Sequence, residues 1–121
     1  QDPELSPFLA HRDHMHPALH RVQDAVCAEP QQDWSVARMA EVGRTSPRHL
    51  TRLFVEHAGT APLAYLRRIR LALAQAALES GQGVTRAAEL AGFSSDTQLR
   101  RAWHRLGLAG RPSDVASLQN R

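Results

Sequence analysis

The 121-residue chain predicts an all-α fold of about seven helices, arranged as two helix-turn-helix subdomains joined by a long linker helix. Three observations carry this. Ala, Leu and Arg are abundant, aromatic residues make up only 5%, and alternating Val/Ile/Thr runs are scarce, so no sheet is called for. One pattern occurs twice, as Leu50-Thr51-Arg52-Leu53-Phe54 and Leu99-Arg100-Arg101-Ala102-Trp103, each a Leu-x-Arg-x-aromatic stretch behind a Ser-bearing turn and a short Ala-containing helix. The repeat reaches upstream, where Met39-Ala40-Glu41 matches Ala87-Ala88-Glu89, and the second turn carries one extra residue at Phe93-Ser94-Ser95. Between the copies, Pro62 to about Glu79 reads as one unbroken helix. Two copies are too few for a solenoid, which needs about three repeats to bury a continuous core, but they suit a bivalent reader.

Each element has a local reason. Residues 1–16 are polar and carry Pro3 and Pro7, which suits a linker or an inter-domain junction, and a chain opening on Gln1 reads as a piece of a longer protein. Pro17 stands at the first turn of a helix in which Ala18, Val22, Ala25 and Val26 recur at helical spacing, until Pro30 and Gln31-Gln32-Asp33 end it. Cys27 is expected to pack in this helix as a small apolar side chain. Ser35 caps the next helix, with Val36, Met39 and Ala40 inward and Gly43 supplying the turn. Ser46 caps a third helix with Pro47 at its first position, giving a first helix-turn-helix at about 35–57. The linker helix, about 62–79, takes Leu63, Leu66, Ile69, Leu73 and Ala77 as its apolar stripe, with Gly81 beyond its end. The second helix-turn-helix occupies about 84–106, and a last helix runs from about Pro112 to Leu118.

The two helices that follow the turns divide cleanly at about 100° per residue. In the first, Leu50, Leu53 and Phe54 face inward and Arg48, Thr51, Arg52 and Val55 outward. In the second, Leu99, Ala102 and Trp103 face inward, leaving Thr97, Arg100, Arg101 and His104 outward and Gln98 at the flank. Arginine with short polar side chains is the chemistry that reads base edges. A guanidinium donates two bonds to guanine O6 and N7, Gln bonds adenine bidentately, and Thr offers a hydroxyl and a methyl. Lys does not reproduce the fork.

Charge agrees with a polyanionic partner. All fifteen basic residues are Arg, and from Trp34 to Arg105 eleven Arg stand against five acids, whereas residues 1–33 hold two Arg and six acids. A basic centre behind an acidic leader is the asymmetry expected when the centre faces nucleic acid. A single cysteine excludes an internal disulfide and a Cys-based metal cluster, and points to a reducing, intracellular home. No window approaches the roughly 20 apolar residues that span a bilayer. His11, His14, His16 and His20 crowd one stretch, but their spacing matches no closed metal site and no Cys or paired carboxylate completes one, so neither metal nor cofactor is expected. Catalysis is not expected either, because the chain has no nucleophile-base pairing, phosphate loop or carboxylate pair.

The residues Thr45-Ser46-Pro47-Arg48-His49-Leu50-Thr51-Arg52-Leu53-Phe54, then Gly59 through Leu71, then Ala91-Gly92-Phe93-Ser94-Ser95, resemble the C-terminal DNA-binding domains of the AraC/XylS family of bacterial transcription regulators. The resemblance covers residues 17 to about 106 and implies a cytoplasmic, double-stranded-DNA-binding regulator whose two recognition helices enter successive major grooves. Carried over position by position, the base-reading sites fall on Arg48, Thr51 and Arg52 and on Thr97, Gln98 and Arg101. Candidates for backbone contact are Arg44, Ser46, His49, Arg67, Arg68, Arg86, Ser95, Arg100 and Arg105. Arg70 and Tyr65 match positions that pack around the linker helix. The stretches Leu5 to Arg12 and Leu19 to Ala25 are similar to junctions in a subgroup with a PfpI-type, amidotransferase-like N-terminal domain. That implies a missing sensor or dimerisation domain and, for an activator, RNA polymerase as a partner. The chain departs from the family after Leu106, where Gly107-Leu108-Ala109-Gly110-Arg111-Pro112 lacks the usual aromatic and is two residues longer, which bears on how the last helix docks. A helical protein-interaction module, or a regulator with one working reading unit, is the alternative.

Overall fold

The computed structural model describes residues 16–108 and 110–119, with side chains through 115. Among these there are seven helices and no strand: α1 Pro17–Ala28, α2 Val36–Gly43, α3 Pro47–Ala58, α4 Pro62–Glu79, α5 Val84–Ala91, α6 Asp96–Arg105 and α7 Pro112–Gln119. The stretch expected as a linker, residues 1–16, lies outside the described residues except for His16. No helix among those described is long and apolar enough to cross a membrane.

The chain forms two compact units. Among the described residues, the first takes 16–29 together with Trp34–Tyr65. Its core is Leu19, Val22 and Val26 of α1, Met39 and Ala40 of α2, and Leu50 and Phe54 of α3, all buried. Tyr65 adds an edge-on ring contact to Phe54, with centroids 5.3 Å apart. The second unit takes Pro30–Asp33 and the chain from Leu66 onward. Its core gathers Leu71, Ala74 and Leu78 of α4, Ala87, Ala88 and Ala91 of α5, and Leu99, Ala102 and Trp103 of α6, with Phe93, Leu108 and Val115 packed against it.

Three expectations are corrected. Gly43 does not make the first turn: it is the buried last residue of α2, and the left-handed residue is Arg44 at φ 58°. Gly43 serves close packing instead, since a Cβ there would stand 3.0 Å from Val22 Cγ2 and 3.2 Å from Ala18 O. Cys27 is exposed, its Sγ 3.8 Å from the Tyr65 hydroxyl. One residue past buried Val26, it lies about 100° round the helix from the core stripe. The stripe of α4 is Leu66, Leu71, Ala74 and Leu78, whereas Leu63 and Leu73 are each 40% exposed and Ile69 and Ala77 only half-buried. This helix is apolar on nearly every face, so periodicity alone selects no side.

Finally, the altered junction after Leu106 leaves the last helix docked. Gly107 turns the chain at φ 74°, Leu108 N–H reaches back to Trp103 O at 3.2 Å, and Pro112 is fully buried at the start of α7. Asp114 in the first turn accepts the Arg111 N–H at 2.9 Å, the reciprocal half of a capping box. α7 packs on α5 and α6.

Candidate nucleic-acid interface

Both turns are built from the same backbone hydrogen bonds. After α2, Arg44 N–H reaches Glu41 O at 3.1 Å and Thr45 N–H reaches Ala40 O at 3.0 Å; after α5, Gly92 N–H reaches Glu89 O at 3.1 Å and Phe93 N–H reaches Ala88 O at 2.9 Å. Each is a helix end closed by a left-handed residue. The next helix then starts on serine: Ser46 Oγ accepts the His49 N–H at 3.1 Å, and Ser95 Oγ accepts the Gln98 N–H at 3.2 Å. Two copies of one pattern thus yield two copies of one geometry, the second with Ser94 as its added residue.

On α3 the outward face holds Arg48 and Arg52, both exposed, with half-buried Thr51. The Thr51 hydroxyl donates to Pro47 O at 2.9 Å. Arg52 donates to His49 Nδ1 at 2.9 Å. A neutral His49 therefore carries its proton on Nε2, as a donor. Ser46, Arg48, His49 and Arg52 line one open depression. Arg44 is exposed beside it in sequence.

On α6, Thr97, Gln98, Arg100, Arg101 and Arg105 are all exposed. Arg100 lies 3.9 Å from Asp96, whose carboxylate also accepts the Thr85 hydroxyl at 3.0 Å. Arg86 of α5 lies 3.8 Å from Glu89. Pairs this exposed are worth little in water and yield readily to a stronger anion. On α4, Arg68 is exposed and Arg67 half-buried.

Arg70 is a structural residue of the second unit. Its Nε donates to Pro30 O and its Nη2 to Gln32 O, each at 2.8 Å, so one fork holds the segment 30–33. Burial pushes its pKa down, against the opposing charge of Asp33. The segment lies against the second turn: Gln31, Gln32, Asp33, Arg70, Gly92, Phe93, Ser94 and Gln98 line one polar depression. In the sequence Gln31 to Asp33 read only as the end of a helix, because a short polar loop carries no periodicity. The signal available was an arginine set amid the apolar residues of α4.

Of the crowded histidines, His11 and His14 lie outside the described residues, His16 stacks on His57 at 3.8 Å, and His20 Nε2 stands 3.1 Å from Asp24. No group of three or more metal-ligating side chains occurs among the described residues.

The architecture is that of a duplicated helix-turn-helix protein. A helix-turn-helix domain profile matches residues 39–107, and the chain belongs to that family. It is 38% identical over 92 residues to the HTH-type transcriptional regulator GlxA of Rhizobium meliloti (strain 1021), covering 75% of this chain and 28% of that regulator. The chain thus spans less than a third of the length of the curated relatives it matches. Among solved structures, the DNA-binding domain of AdpA in complex with a target DNA superposes with a TM-score of 0.77 at 27% identity, over 84% of this chain and 91% of that one. A probable AraC family transcriptional regulator from Rhodopseudomonas palustris shares the fold, with a TM-score of 0.75 at 24% identity over 85% and 97% of the two chains.

Proposed function

We propose that residues 17–121 are the DNA-reading domain of a transcription regulator, and that α3 and α6 each enter a major groove of one duplex, the grooves one helical turn apart. The observation that carries this reading is the pair of serine-capped helices, each presenting exposed Arg and short polar groups opposite a buried Leu and aromatic. It is supported by the likeness to a domain solved on its target DNA. Arg48, Thr51 and Arg52 read base edges in one groove, and Thr97, Gln98 and Arg101 in the other. Arg44, Ser46, His49, Arg67, Arg68, Arg86, Ser95, Arg100 and Arg105 hold phosphates. Ser46 and Ser95 use Oγ as acceptors for their caps and keep the O–H to donate, and His49 offers Nε2–H.

Residues 1–16 then form the junction to a sensor or dimerisation domain, and the whole protein is a bacterial cytoplasmic regulator without enzymatic chemistry, meeting RNA polymerase where it activates. Selection from a random duplex pool tests the reading: two short preferred motifs about one helical turn, or about 34 Å, apart are expected. Arg52→Ala and Arg101→Ala should each cost about 1–3 kcal/mol and relax preference at one base pair. Parent-like binding by both variants would remove these residues from the reading heads.

A further inference from the structure

Val55 lies on the outward face of α3 and is 54% exposed, the most exposed large apolar side chain among the described residues. Its place relative to the arginines is regular. Arg48, Thr51, Arg52 and Val55 stand at offsets of zero, three, four and seven, so at about 100° per residue Val55 falls between Thr51 and Arg52 and within roughly 20° of Arg48. In rotation it is therefore in line with the middle of the face, at the C-terminal end of the row. Four residues at this spacing are what the third helix of a homeodomain presents to a major groove.

An apolar side chain in line with such a face has a specific counterpart. Among the four bases only thymine carries a C5-methyl group in the major groove, and apolar contact is how that methyl is read. Valine is short and stiff at χ1, so its methyls are held in place before contact. An apolar protein groove fits less well, because Arg48 and Arg52 flank the residue and would lose water there without anionic partners.

We propose that Val55 reads a thymine methyl as the fourth reading position of α3. This rests on the DNA-reading function proposed above. The matching position of α6 is the exposed His104, so methyl readout at this position belongs to one half-site only.

The test uses the full chain and its selected duplex, with each thymine replaced singly by deoxyuridine, which deletes only the methyl. One replacement in the α3 half-site should weaken the parent about three- to tenfold, the worth of roughly one buried methyl group. Val55→Ala should bind the thymine and deoxyuridine duplexes equally, and Val55→Thr, which keeps one methyl, should retain the difference. If no thymine methyl is coupled to Val55 while Arg52→Ala still weakens binding, the inference falls and the DNA reading stands. If the parent selects no duplex, both fall.

Discussion

Arg44 and Gly92 hold the same place in the two turns, each closing a helix in the left-handed region, at φ 58° and φ 91°. The backbone demand is equal, but the side chains answer it differently. At Gly92 a Cβ would meet Gln31 Cα at 2.7 Å, Pro30 O at 3.0 Å and Arg70 Nε at 3.1 Å. Gly92→Ala should therefore cost more than about 2 kcal/mol in urea denaturation, from φ strain and overpacking together. At position 44 the side chain is exposed, and a non-glycine residue there carries about 1 kcal/mol of strain. Arg44→Gly should gain about 0.5–1 kcal/mol of stability yet bind DNA less tightly and with a shallower salt dependence, if the arginine is kept for a phosphate. Arg70→Lys removes the fork that serves two carbonyls, and should destabilise by about 1–3 kcal/mol. These roles were unevenly legible in the sequence. A glycine beside a turn looks the same whether it supplies φ or closeness, so the sequence does not tell the packing role of Gly43 from the turn role of Gly92.

The helices differ in how openly they declare their faces. α3 and α6 separate arginine from Leu and aromatic so sharply that most of their buried residues follow from register alone: Leu50, Phe54, Leu99, Ala102 and Trp103 are in the core, while Leu53, expected with them, is only half-buried. α4 interleaves Leu and Ala around its whole circumference, and only its neighbours decide that Leu71 and Leu78 go in while Leu63 and Leu73 stay out. Capping is local chemistry and was legible for the same reason as α3. Ser46→Ala and Ser95→Ala should each cost about 1 kcal/mol by thermal or urea unfolding, since each removes the acceptor for one orphan N–H. The outward residues of both helices were legible as a set. What each touches was not, because specificity lies in the partner's edge pattern, which a sequence of amino acids does not contain.

Every Lys/Arg position of the chain is an arginine, so salt is the main lever on its proposed association with DNA. Arg68→Ala should weaken all duplexes alike and lower the slope of log affinity against log salt by about one, whereas Arg52→Ala should change which duplexes bind. The order of the chain adds a constraint that the repeat alone conceals. Four residues, Pro30–Asp33, leave the first unit, take both Arg70 bonds, lie against Gly92, and return at Trp34. A gene cut between the repeats would sever no motif, and would still leave the second half without the segment that closes its turn and with a half-buried guanidinium deprived of two acceptors. The repeat looks divisible on paper; as a folded object it is stitched, and recombining one half with a foreign reading head requires carrying those four residues along.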